Sequence, residues 1–343
     1  MASTILVTAA DGRYHESVLD LVRSVRATGF GCDIGIIDSG LPDEFAAFAA
    51  DQNCLVHRTS LDGALATAAR DVPQGWKAAL LKPHIRGLFA GYETYIFLDA
   101  DTWVQQRFAL DYLQTYSRDG SLAIVSQRSR FHEWDSARGN GVEFNMFGQP
   151  LRANWYTMFS RKSKLPAADK RLLASEPILN AGVFALRGDA PLWDLWQQTV
   201  LEAVQALPKG RQYAADQIGL GLAVYRNDIP LALLPETCNW MSVWRFDEAA
   251  GLFTETQPPF GTVGIIHLAG VDPAHPFRQV ALASGGTAAG SDIDFASTYI
   301  RHVLGFVGIS DVSVIAADQL MMAADEKVAA AKAIIADISK AAA

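Results

Sequence analysis

The chain has 343 residues, half of them apolar and only 19% charged, with a formal charge of −8. Such a chain is globular and well buried, and long enough for one large domain with an appendage or for two domains. Its acidic balance argues against general nucleic-acid binding, which needs a basic face, but leaves room for a local phosphate-ester site. The N-terminus "MASTILVTAADGRYHES" has no basic region followed by an apolar one, so it is not read as a signal peptide. No uncharged apolar run reaches the roughly 18 residues that span a bilayer. Cys32, Cys54 and Cys238 are odd in number and scattered. They read as buried thiols of a cytoplasmic protein rather than a disulfide frame or a zinc site.

Thr4 to Ala10 predicts a buried strand, and "YHESVLDLVRSVRAT" behind it places Val18, Leu21, Val22 and Val25 at helical spacing. "CDIGIIDSG" is a second strand ending in Asp38, "DEFAAFAADQN" a helix and "CLVHRT" a third strand. This alternation predicts an open parallel sheet with ligands at the C-terminal edge of its strands. "GWKAALLKPHIRGLFAG" reads as helical despite Pro83 and leads into the apolar run Tyr95–Leu98, which delivers Asp99 and Asp101. "SLAIVSQ" is another strand. From about 128 to 177 the pattern is irregular, polar and aromatic, as in an insertion that lines a site, with Trp134, Trp155 and Tyr156 in it. Helices follow from about Pro191 to Leu207 and around "AADQIGLGLAVYR", then the strands "PLALLP" and "TVGIIHLAG", the last ending in His267. The proline-containing stretch 272–278 reads as a linker. Residues 279–343 then form one more β-α-β-α unit, after a first domain that is already complete.

Asp99 and Asp101 pose an electrostatic problem. Two carboxylates one residue apart at the end of a buried strand repel each other and call for a positive partner. A divalent metal with a phosphate ligand is one solution, because hard Mg²⁺ or Mn²⁺ takes one or two carboxylates plus substrate oxygens. A phosphatase of the haloacid dehalogenase type wants Thr or Val two places after the second aspartate, where Trp103 stands. An EF-hand loop wants a further ligand and then a glycine, where this chain has Trp103 and Val104. The D-x-D alone does not separate a metal site from a solvated acidic turn. Its companions do, and they come in order: Lys82 and Arg86 upstream, then "ILNAGVFALRG", "AADQIGLGLAV", "LPETCNW" and "GIIHLAG". From about residue 5 to 270 this ensemble resembles the retaining, metal-dependent glycosyltransferases of the GT-A fold, above all the family-8-like bacterial enzymes.

The resemblance implies an α/β fold, a Rossmann-like open mixed sheet flanked by helices, over residues 1–271. It implies that Asp99 and Asp101, with His267 of the H-x-x-G motif that ends in Gly270, hold Mn²⁺ or Mg²⁺; an imidazole ligand favours Mn²⁺. Asp101 is the direct ligand, while Asp99 divides its work between the metal and donor hydroxyls. Lys82 reaches the donor, Asn180 contacts the donor sugar, and Asp216 lies near the anomeric carbon. Thr8, Ala10 and Tyr14, at the exit of the first strand, meet the nucleotide. The implied partners are a nucleotide-sugar, with a UDP-sugar favoured, and a saccharide or other hydroxyl acceptor. One departure stands out: the Lys-Pro-Trp that usually follows the histidine motif is missing from "HLAGVDPAHPFRQ", where Arg278 is the nearest substitute. The tail resembles the C-terminal end of the flavodoxin-like FMN-dependent NADH azoreductases, with Ser284, Gly285 and Gly286 matching the turn against the flavin. The N-terminal "TAADGRYHES" lacks the phosphate-cradling S-x-R-x-x-S-like pattern of those enzymes, so FMN is not expected. The tail is then a packing unit or a homo-oligomer contact. A flavin oxidoreductase and a non-catalytic nucleotide-sugar binding protein are the alternative readings.

Overall fold

The computed structural model describes residues 3–126, 143–146, 149–152, 155–241, 244–256, 258–269, 280–282, 329 and 332–333. Trp134, Gly270, the 272–278 linker, Arg278, Ser284 to Gly286 and nearly all of the C-terminal β-α-β-α unit lie outside the described residues. The chain divides into two compact units, Met1–Ser242 with Gly264–His275, and Val243–Val263 with Pro276–Ala343.

The first unit is built on a seven-stranded sheet. Its members are β1 (Thr4–Ala10), β2 (Asp33–Asp38), β3 (Cys54–Arg58), β4 (Thr94–Leu98), β6 (Leu122–Ser126), β9 (Leu179–Arg187) and β10 (Leu231–Leu233), in the order β10-β6-β9-β4-β1-β2-β3. β1 runs parallel to β2 and to β4, as the strand–helix–strand alternation predicts. β9 runs antiparallel to both β4 and β6, so the sheet is mixed. That reversal matters for function, because it lays the first residues of β9 beside the last residues of β4, with Leu98 opposite Val183.

Side-chain alternation sorts the sheet into two buried faces. Leu6, Ile34, Ile96 and Leu98 face one way and pack with Val18, Leu21, Val22 and Val25 of the helix His15–Ala27. Ile5, Val7, Tyr95 and Phe97 face the other way, against the helices Leu192–Ala206 and Ala215–Arg226. Those two helices cross closely, since a Cβ on Gly219 would lie 2.8 Å from the Cα of Val200. Trp196 is fully buried at this crossing, and its indole N–H donates to the Asp216 carbonyl at 2.9 Å. The first turn of the second helix is thereby pinned to the first.

Two segments differ from the sequence expectation. The stretch leading to β4 is not one helix: Gln74–Lys77 and Ile85–Leu88 are short α-turns around a 3-10 stretch, Ala78–His84. Pro83 lacks the N–H that an α-helix needs there, and the tighter turns accommodate it. Within 128–177 the described residues include regular elements. These are a hairpin of β7 (Glu143–Met146) and β8 (Gln149–Arg152), and the helices Trp155–Ser160 and Ala167–Ser175. The second of these is tied down by Asp169, buried and paired with Arg226 at 2.7 Å, a contact between residues far apart in the chain.

In the second unit β11 (Trp244–Asp247) pairs antiparallel with β12 (Leu252–Thr254) and parallel with β14 (Val280–Leu282). The rings of Phe246 and Phe253 pack at 5.5 Å between centroids. Among the described residues no helix is long and apolar enough to cross a membrane.

Candidate metal centre

β4 ends at Leu98, and the chain turns at once. Asp99 donates its N–H to the Gly182 carbonyl of β9 at 2.7 Å, while its own carbonyl accepts from the Thr102 N–H and hydroxyl at 3.1 and 2.7 Å. The turn leads into β5 (Thr102–Val104), which pairs antiparallel with β13 (Ile265–His267), His267 facing Thr102. The Leu268 N–H closes the arrangement on the Asp101 carbonyl at 2.9 Å. This small ladder brings residues more than 160 positions apart to one place. The Nε2 of His267 lies 3.4 Å from Asp101 Oδ1 and 3.9 Å from Asp99 Oδ2. One ligand atom from each of Asp99, Asp101 and His267 lies within 4.8 Å of the others.

Lys82 comes in from the 3-10 stretch, 3% exposed. Its ammonium lies 2.9 Å from Asp99 Oδ1, 3.0 Å from Asp216 Oδ2 and 5.1 Å from the centroid of Phe97. A buried lysine without partners would lose its charge. Here burial opposes the charge, but Asp99 and Asp216 outweigh it and raise the Lys82 pKa. Among the described side chains Lys82 is therefore the fixed counter-charge of the acidic pair, held directly on Asp99. The two carboxylates are held differently. Burial raises the pKa of Asp99 against the pull of Lys82, with Asp101 adding to the rise. At Asp101 burial is outweighed by contact with His267, and the pKa is lowered.

The "NAG" of β9 has a geometric meaning. Gly182 sits so close to the centre that a Cβ would come within 2.6 Å of Asp99 Oδ2 and overlap the ring of His267. Asn180 is buried; its Oδ1 accepts from the Gly182 N–H at 2.9 Å and from Asn239 Nδ2 at 3.0 Å. Asn239 in turn presents its Oδ1 to His267 Nδ1 at 2.8 Å. Asn239 lies in "LPETCNW", where an amide directly before a tryptophan is the one signal the sequence offers for it. It reaches the histidine because Trp240 bridges the far side of β13, exchanging backbone bonds with Ile265 and His267 at 2.8 and 2.9 Å.

The structure thus gathers Lys82, Asp99, Asp101, Asn180, Asp216 and His267 into one bonded cluster. Tyr14 is half-buried at its edge: burial raises its hydroxyl pKa, and Asp101 and Asp99 add to the rise. Thr8 and Ala10 are both buried within β1; the Thr8 hydroxyl has no hydrogen-bond partner. The Ala10 carbonyl accepts from Ser39. Two residues near the motifs serve elsewhere. Arg86 points elsewhere, paired with Asp194. Tyr156 is a packing anchor: it is fully buried, its hydroxyl accepting from the Leu179 N–H at 3.1 Å. Its ring fills space under Gly221, where a Cβ would meet the hydroxyl at 2.8 Å.

No family model matches the chain. Curated relatives include an FMN-dependent NADH:quinone oxidoreductase 1 of Jannaschia sp. (strain CCS1), 41% identical over 112 residues, which are 33% of this chain and 51% of that protein. An FMN-dependent NADH:quinone oxidoreductase of Cereibacter sphaeroides (strain ATCC 17029 / ATH 2.4.9) is 37% identical over 125 residues, 36% of this chain and 56% of that protein. The chain spans about half the length of the curated relatives it matches, and the matched length exceeds residues 279–343. Solved structures similar to the chain include the galactosyltransferase LgtC in complex with donor and acceptor sugar analogs, at a TM-score of 0.47 and 15% identity, covering 90% of this chain and 97% of that one. The apo structure of the bifunctional glycosyltransferase WbbM has a TM-score of 0.49 and 14% identity, covering 79% of this chain and 47% of that one.

Proposed function

We propose that the chain is a metal-dependent glycosyltransferase of the GT-A type, which moves a sugar, with retention, from a nucleotide-diphosphate sugar to an acceptor hydroxyl. The observation that carries the reading is the convergence of Asp99, Asp101 and His267 within 4.8 Å at the end of a central strand. Two carboxylates and one imidazole with ordered supports suit Mn²⁺ and leave positions for a diphosphate. When bound, such an ion neutralises the charge that builds on a departing diphosphate. The rest of the work falls to the chain's own residues. Lys82 holds Asp99 and Asp216 in place between β4 and the helix Ala215–Arg226. Asp216, fixed at both its carboxylate and its carbonyl, offers the donor sugar a rigid acceptor of hydrogen bonds. Asn180 orders the floor of the site, and Tyr14 is placed to meet the nucleotide. A UDP-sugar is the favoured donor and a saccharide the favoured acceptor. The test is hydrolysis of a panel of nucleotide-sugars with and without Mn²⁺. Asp101→Asn is expected to abolish Mn²⁺-dependent turnover of the donor while the unfolding temperature is kept; turnover that survives the substitution sinks the reading.

A second reading rests on the 41% identity to part of an FMN-dependent oxidoreductase. It makes the chain a flavin-dependent NADH oxidoreductase. A yellow protein as purified, with FMN-dependent NADH oxidation that Asp101→Asn leaves intact, would favour it over the transferase.

A further inference from the structure

We infer that Asn239 is a positioning residue that locks His267 into the tautomer with its proton on Nδ1, through a relay that begins at the backbone. The inference deepens the metal-centre reading and rests on it for its purpose, though not for its geometry. A side-chain amide can be turned end for end, so which atom it offers must be settled by a partner that cannot be turned. Gly182 supplies that partner. Its N–H is a donor only, and it meets Asn180 at 2.9 Å, so the Asn180 atom there is oxygen. The same oxygen meets Asn239 at 3.0 Å, so the Asn239 atom there is the amide nitrogen. That leaves the Asn239 oxygen facing His267 Nδ1 at 2.8 Å, and an oxygen that only accepts requires the proton on Nδ1. The remaining amide hydrogens of Asn180 point to the Met241 sulfur at 3.1 Å, a weak acceptor with no donor to offer, so the assignment is consistent along its whole length.

The consequence lies on the other side of the ring. In neutral His267 the Nε2 lone pair is free and faces Asp101 and Asp99. A lone pair aimed at two carboxylates is repelled by them, and between the two neutral tautomers the one donating from Nε2 to Asp101 would be preferred if Asn239 were absent. The relay forbids it. The fold therefore spends a buried chain of amides, with Asn180 and Asn239 only 6% and 2% exposed, on keeping Nε2 turned to the two carboxylates, where it can serve as a ligand. Partners behind a metal-binding histidine typically govern 10–100-fold in metal affinity.

The experiment is nitrogen NMR of protein labelled at histidine, with His267 assigned by the signal lost in His267→Gln, together with Mn²⁺ titration followed by the EPR signal of the free ion. Without metal, wild-type His267 is expected to carry a proton on Nδ1. Asn239→Leu is expected to shift it towards the Nε2 proton and to weaken Mn²⁺ about 10–100-fold. Asn239→Asp, which still accepts from Nδ1, is expected to keep the tautomer. A wild-type His267 without a proton on Nδ1 overturns the inference, whether or not any variant folds. So does an Asn239→Leu protein with unchanged tautomer and affinity. A wild-type protein with the Nδ1 proton that binds no Mn²⁺ upholds the relay and instead sinks the metal reading.

Discussion

Single atoms decide whether this centre can exist. Gly182 is the tightest case, because its backbone serves Asp99 and Asn180 while its missing side chain makes room for His267. Gly182→Ala is expected to weaken Mn²⁺ at least tenfold and to cost about 1–3 kcal/mol of stability, since Asp99 and His267 are held by Lys82 and Asn239; metal titration and urea unfolding check both. Lys82 is the second case. Lys82→Met leaves the buried Asp216 and the partly exposed Asp99 without their shared cation, and breaking a fully buried pair costs about 3–5 kcal/mol, which sets the upper end of the loss. Adding Asp216→Asn to it should recover part of that loss, which urea unfolding of the single and double variants measures. The residue types were legible in the sequence: D-x-D, NAG, DQ and HLAG were all found from the chain alone. Their bonding was not. Nothing in "KPHIRG" says that the lysine will lie between the first aspartate and a residue 134 positions away.

At the scale of elements the legible features are the periodic ones. β1, β2 and the helix His15–Ala27 follow directly from alternation and 3.6-residue spacing. Pro83 hid the break-up of the segment before β4, because propensity does not say where a proline will be absorbed by 3-10 turns. The helix Ala167–Ser175 was hidden because its anchor, Asp169 on Arg226, is a long-range pair. The helix His15–Ala27 also carries an unusual carboxyl. Burial pushes Asp20 up to about 7, against the nearby Arg23 and with Glu16 adding to the rise. One of its oxygens has no hydrogen-bond partner. Because its folded pKa lies above the unfolded value of about 3.9, its favourable share of stability is complete below about pH 4 and is lost as pH rises through 7. Asp20→Asn removes that loss. The variant should be more stable than wild type at pH 8 by up to about 4 kcal/mol, three units at 1.36 kcal/mol each, with the gap closing towards pH 4, as urea midpoints across that range will show.

For the whole molecule the metal reading makes a thermodynamic prediction. An ion that binds only the folded centre stabilises it by RT ln(1 + [L]/Kd), about 2.7 kcal/mol at a hundredfold excess over Kd. Mn²⁺ should raise the unfolding temperature by several degrees, EDTA should reverse it, and Asp101→Asn should be insensitive to both; a melting curve indifferent to Mn²⁺ contradicts the reading. The sequence by itself determined the α/β class, most strand and helix positions on the sheet, and the identity of the charged and amide residues that carry the chemistry, because these depend on local periodicity and residue type. Only the tertiary structure decided that β9 runs backwards between β4 and β6, that the β5–β13 ladder carries His267 to Asp101, and that two asparagines tie the histidine to Gly182. Those are pairings between segments far apart in the chain, and their energy comes from burial and hydrogen bonds that no local stretch contains.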